Sequence, residues 1–199
     1  MARHFAKRFL PLQPKENTMA SILDELATLY TDAAQGRYGL TAVRQQEHAL
    51  QAGMLAETND DPAALIAASF LHDAGHMIHN LGEDCAAKGI DDTHEQRGAR
   101  WLSQYFGPDV TEPIRLHVAA KRYLCTVEPE YNKCLAPDSV RSLQLQGGLM
   151  TDDEISAFIR EPYAQDAIRV RRYDDLAKTP GVVTPPVDHF VARLKPLLK

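Results

Sequence analysis

The 199-residue chain has only three cysteines, Cys85, Cys125 and Cys134, and no Cys-x-x-Cys pair. That odd, scattered set excludes a disulfide framework or a zinc ribbon and makes a reducing cytoplasm the expected compartment. No stretch approaches the roughly 18–20 consecutive apolar residues of a membrane span. Charge of neither sign dominates: 22 basic and 27 acidic side chains leave a net charge of −5, which argues against a nucleic-acid binder held by bulk charge. Sustained period-2 alternation of β-branched residues is missing as well, so strands are not expected. What remains is an ordinary globular composition, 44% hydrophobic and 25% charged, without repeats or low-complexity linkers. Residues 1–18 lack the long apolar region of a secretory signal and read as a poorly ordered extension; residues 19–199 read as one all-α domain.

Helix punctuation is dense. Ile22, Leu23, Leu26 and Leu29 share one face of a first helix over 19–30, and a break near Gly36–Gly39 precedes a second over about 41–58. Asp61-Pro62 opens an apolar helix that runs to about His72. Thr93 and Gln96 fit the capping box of a helix ending near Gly107-Pro108, and Thr111 is expected to cap the next, through His117 to about Leu124. Pro137–Gln146 is stopped by Gly147-Gly148, and Thr151 with Glu154 makes a second capping box. A helix follows Pro162 towards Tyr173, and Thr184-Pro185 opens the last.

Eight histidines are the informative excess. In Phe70-Leu71-His72-Asp73-Ala74-Gly75-His76 an imidazole and a carboxylate adjoin at the end of an apolar helix, where a buried carboxylate needs a partner or a metal. His48, His94, His117 and Asp174 fall within or at the ends of other predicted helices. Singly, each reads as an ordinary core or surface residue. Together they form the ligand set of a binuclear site in which Asp73 bridges two cations. Mixed imidazole and carboxylate ligation suits iron, manganese or zinc better than magnesium or calcium. Such a pair activates water or dioxygen, depending on the metal.

The order His48…His72-Asp73…His94…His117…Asp174 resembles the two-metal signature of the HD-domain superfamily, most of whose members are phosphohydrolases. The flanking motifs are narrower. Tyr38 ahead of Glu47-His48, the stretch His117-Val118-Ala119-Ala120-Lys121-Arg122-Tyr123-Leu124, Gln146-Gly147-Gly148 and Arg171-Arg172-Tyr173-Asp174-Asp175 are similar to the HD-domain mixed-valent di-iron oxygenases of phosphonate catabolism. The resemblance implies a helical HD bundle with two irons, Fe(II)/Fe(III). One is held by His48, His72, Asp73 and Asp174, the other by Asp73, His94 and His117. It further implies that Lys121 and Arg171 grip a phosphonate, with His76, Ser139, Ser142 and Gln146 as hydrogen-bonding neighbours. Tyr38 would guard or ligate the substrate-facing iron, and Asp73, Lys121 and Tyr38 are the groups expected at the reaction centre. With dioxygen as co-substrate, the implied reaction is oxidative C–P cleavage to phosphate and a carboxylic acid. A small organophosphonate is the expected partner, for a monomer or homodimer, with no nucleic acid, membrane or partner protein.

Relatives acting on a primary amine, (R)-1-hydroxy-2-aminoethylphosphonate, carry an acidic residue where this chain has Thr41. Loss of that carboxylate points instead to (R)-1-hydroxy-2-(trimethylammonio)ethylphosphonate and glycine betaine as product, since a trimethylammonium prefers aromatic faces. Tyr30, Tyr38, Phe70 and Tyr105 are candidate cage members, with ordinary core packing the preferred reading for Phe70 and Tyr105. A metal-dependent HD phosphohydrolase is the rival reading, with the same ligands around redox-inactive metal.

Overall fold

A computed structural model of the chain describes residues 19–32, 34, 36, 42–78 and 88–199. The expected extension over 1–18, and Tyr38 and Thr41, lie outside the described residues. Helix α1 covers Met19–Asp32, α2 Gln45–Thr58, α3 Ala63–Leu71 and the single turn α4 Ala74–Met77. They are followed by α5, His94–Leu102, the long α6, Pro108–Val127, and α7, Pro129–Lys133. The chain closes with α8 over Pro137–Leu145, α9 over Asp152–Phe158, α10 over Ala164–Leu176 and α11 over Val187–Leu194. Extended pairing among the described residues is limited to isolated bridges such as Phe106 with Leu198. No helix among them is long and apolar enough to cross a membrane.

The apolar stripe of α1 buries Ile22, Leu26 and Tyr30 against α2, α3 and α11. At the centre of that layer Tyr30, Phe70 and Phe190 stack, with centroids 4.4 Å and 5.1 Å apart along the series. The Tyr30 hydroxyl donates to the Phe70 carbonyl at 3.0 Å. These two rings are therefore core, not cage: both are fully buried and saturated by each other. Tyr105 packs beside Trp101 against the same core. A smaller cluster of Leu116, Ala120, Met150, Phe158, Ala164 and Ala167 joins α6, α9 and α10.

Several boundaries differ from the sequence reading. α5 stops at Leu102, and Thr93 takes a left-handed conformation (φ 50°, ψ 37°), so its hydroxyl does not cap the helix. α6 begins at Pro108, because proline at the first helical position after an extended Gly107 starts the helix at no hydrogen-bond cost. Thr111 lies inside it and returns its hydroxyl to the Gly107 carbonyl. α11 starts at Val187 after the extended Pro186, later than Thr184-Pro185 suggests. The Thr151–Glu154 capping box and the left-handed Gly147-Gly148 stop appear as expected.

Gly75 fixes where α4 meets α5. A Cβ at this position would sit 1.9 Å from the His94 carbonyl oxygen, and one at Gly98 would sit 3.0 Å from the Gly75 nitrogen. Gly75 must lack a Cβ for this backbone approach, with Gly98 leaving it room, and the approach brings the His72-Asp73 corner against the start of α5.

Candidate metal centre

Four imidazoles converge from α2, the end of α3, α5 and α6. In three of them Nδ1 faces a backbone carbonyl: Ala177 for His48 at 2.8 Å, Ser69 for His72 at 2.8 Å and Ile114 for His117 at 2.7 Å. Nδ1 of His94 faces the Asp92 carboxylate at 2.9 Å. An acceptor at Nδ1 places the proton there, so in the neutral ring Nε2 is a lone pair aimed inward.

Those lone pairs meet in two groups. Nε2 of His48 and His72 are 3.1 Å apart, and Nε2 of His94 and His117 are 3.2 Å apart. Asp73 lies between the groups. Its Oδ2 is 3.5 Å from both His48 and His72, while Oδ1 is 3.4 Å from His94 and 3.8 Å from His117. Asp174 Oδ1 completes the first group, 3.4 Å from His48 Nε2. His76 stands beside the second, its Nε2 3.8 Å from Asp73 Oδ1. All six predicted ligands are buried.

Protonation suits cation ligation. Burial, then the His72 imidazole, push His48 down to about 4, and burial with His94 and His72 lowers His117. Burial opposes ionisation of Asp73, but the imidazoles of His72, His76, His94 and His48 hold it well below the ordinary carboxylate range. Arg171 and Lys178 do the same for Asp174 against its burial. His94 is the exception: against its burial, Asp92 and Asp73 raise it to about 9, so without a cation it carries a proton towards His117.

With Nδ1 of both rings facing a carbonyl, the Nε2 lone pairs of His48 and His72, 3.1 Å apart, repel unless a cation lies between them. Ligands cis on one ion, with bonds of about 2.1 Å, stand about 3.0 Å apart. The donor set fits two transition-metal cations sharing the Asp73 carboxylate.

On the α6–α8–α10 side lies a buried cluster around Lys121 and Arg171. Lys121 Nζ donates to Ser142 Oγ at 2.8 Å and to Gln146 Oε1. Arg171 donates to Asp174 Oδ2 at 2.6 Å, to Ser139 Oγ at 3.2 Å and to the Tyr131 hydroxyl at 3.0 Å. Both cations are buried, 2% and 4% exposed, which excludes a solvated helix face. Burial and Arg171 bring Lys121 down to about 7. Five of the residues expected around a phosphonate, Lys121, Ser139, Ser142, Gln146 and Arg171, are thus joined in two sets linked through Ser142 and Ser139, whereas His76, expected with them, lies instead against Asp92 and Asp73.

Residues the sequence reading passed over complete the site. Gln45 donates to Asp73 Oδ2 at 3.2 Å. Asp175 pairs with Arg171 and accepts from Tyr131, and Lys178 lies 3.1 Å from Asp174 Oδ1. Asp175 had a visible signal, standing four residues after Arg171 on one helix face. Tyr131 had none, since it comes from a separate short helix.

Comparison with known proteins follows the same lines. Residues 46–143 match the family described as the HD domain, a span holding His48 to His117 but not Arg171 or Asp174. A hydroxymethylphosphonate dioxygenase of Gimesia maris is 42% identical over 182 residues, 87% of each chain. A glycine-betaine-forming 1-hydroxy-2-(trimethylamino)ethylphosphonate dioxygenase of Leisingera caerulea is 36% identical over 170 residues, 85% of this chain and 87% of that one.

Proposed function

Because the chain belongs to the HD-domain family of phosphonate dioxygenases, we propose that it cleaves the C–P bond of a 1-hydroxyphosphonate oxidatively, with dioxygen, at two iron ions. The observation that carries this reading is Asp73, whose two oxygens face separate pairs of inward-pointing imidazoles. His48, His72, Asp73 and Asp174 would hold one iron, and Asp73, His94 and His117 the other. When bound, the metals supply the redox chemistry with dioxygen. The remaining work falls to the chain.

Lys121 and Arg171 receive the phosphonate dianion by charge-assisted hydrogen bonds, replacing the solvent it sheds. Ser139, Ser142 and Gln146 hold those two cations in register from α8 and its C-terminal end. With phosphorus fixed on that side, the substrate carbon is turned towards Asp73 and the imidazole groups, and the reacting C–H bond is oriented by binding alone.

For the substrate, hydroxymethylphosphonate is the better-supported choice. Oxidation of this compound by one dioxygen yields formate, phosphate and a proton. It needs neither an ammonium-binding carboxylate, absent at Thr41, nor an aromatic cage, and Tyr30 and Phe70 are committed to the core. The 42% identity to the Gimesia enzyme supports it further. The trimethylammonio compound, with glycine betaine as product, is the second reading, favoured by Thr41 and by the Leisingera relative. Phosphorus NMR on iron-loaded protein, offered both compounds and the primary amine together, in air and under argon, tests all of this. Oxygen-dependent phosphate chiefly from hydroxymethylphosphonate is expected. Phosphate chiefly from either amine discards the substrate choice, and equal release under argon returns the protein to hydrolase chemistry.

A further inference from the structure

Asp92 belongs to neither the ligand set nor the phosphonate pocket, yet it is 7% exposed and turned wholly inward. Its Oδ1 accepts from His94 Nδ1 at 2.9 Å and from the His94 backbone N–H at 3.3 Å. Its Oδ2 lies 2.7 Å from His76 Nδ1. The two imidazoles it holds stack with centroids 3.8 Å apart and planes 19° from parallel.

The reason for a carboxylate here is positional. His72 and His117 each use the carbonyl three residues earlier, and His48 uses the carbonyl of Ala177 just past the end of α10. His94 is the first residue of α5, where the backbone presents N–H groups and no preceding helical carbonyl. A side-chain acceptor must take over. Asp92 reaches that place because Thr93 between them adopts the left-handed conformation, φ 50°, which a β-branched residue avoids. Such an outlier persists only where its surroundings impose it.

We propose that Asp92 is a positioning residue for the second cation site, fixing His94 with Nε2 inward and holding His76 parallel beside it. The inference rests on the two-ion reading above. It is tested by calorimetric titration of the metal-free full chain with Zn²⁺ alone, following circular dichroism in parallel. Wild-type protein is expected to take up two ions. Asp92→Ala should keep one at wild-type affinity and bind the other about 10–100-fold more weakly. Asp92→Asn, isosteric and retaining one acceptor, should fall between. Asp91→Ala removes an exposed neighbour whose carboxylate accepts from the Thr93 N–H at 3.2 Å and should change neither affinity. Unchanged binding in both Asp92 variants overturns the proposal, as does equal weakening of both ions, or a matching loss in Asp91→Ala. Uptake of a single ion by the wild-type chain sinks the two-ion reading, and this inference with it.

Discussion

Replacing Lys121 by methionine should stabilise the metal-free protein while removing phosphonate binding, and the size of the gain should depend on pH. Lys121 is 2% exposed, and burial together with Arg171 lowers it from 10.5 to about 7. Well below pH 7 both folded and unfolded chains carry the proton, and the folded state bears the full penalty, about 5 kcal/mol. As pH rises from about 7 to about 10.5 the unfolded chain holds more protons than the folded one, so stability climbs. At pH 9 the penalty has fallen to about 2 kcal/mol, leaving a difference of about 3 kcal/mol between pH 6 and pH 9. Methionine fills the same space without a charge, and the lost bonds to Ser142 and Gln146 subtract about 1 kcal/mol each at every pH. Urea unfolding of both proteins at pH 6 and pH 9 measures the difference, with every other titrating group common to the pair. The wild type should gain about 3 kcal/mol more than Lys121→Met over that interval. Parallel stability–pH curves for the two proteins would refute the reasoning.

Other substitutions separate the roles. Gly75→Ala places a Cβ 1.9 Å from the His94 carbonyl oxygen; thermal unfolding should show a loss of more than about 3 kcal/mol, with cation uptake impaired. Tyr131→Phe removes one hydroxyl from Arg171 and Asp175 and should raise KM for the phosphonate about 5–10-fold, with iron content unchanged in metal analysis. Thr93→Gly keeps the left-handed turn without its steric cost; chemical denaturation should find it no less stable than wild type, and Zn²⁺ titration should still find two ions.

The candidate metal ligands are legible because ligation draws on few residue types. A His-Asp pair ending an apolar run, with further histidines on other helices, has few alternative uses. Arg171 and Lys121 were legible only through their flanking motifs, since spacing alone cannot distinguish a buried cation from a solvated one. Asp92 was not, because an aspartate two residues before a helix start reads as a cap, and here it does both jobs. The start of α6 was misread for a related reason: Thr111 has capping chemistry, but Gly107-Pro108 opens the helix a turn earlier. Of the candidate cage residues Tyr30 is lost to burial, Phe70 and Tyr105 pack in the core as preferred for them, and Tyr38 lies outside the described residues. Tyr30 falls on the apolar stripe of α1, and once α1 packs on α3 its ring and hydroxyl are both spent on Phe70.

The fold's departures from local rules gather around one point. Away from the site the helices follow ordinary chemistry: an apolar stripe buried on α1, a capping box on α9, left-handed glycines after α8. Around Asp73 the chain tolerates a β-branched residue in left-handed backbone, a glycine contact no other residue could make, and two buried basic side chains, Arg171 against acids and Lys121 against Ser142 and Gln146. None of these helps an isolated domain to fold, and the Lys121 penalty works against it. They become intelligible if cations and a dianion supply the missing interactions. Two ions would neutralise the acceptor groups around Asp73, and a phosphonate would draw Lys121 back towards its charged form. Arg171 joins the halves, one nitrogen on Asp174 and another on Ser139. On the proposed function, cations bound at Asp73 should therefore tighten phosphonate binding at Lys121 and Arg171, and the same coupling must run in reverse.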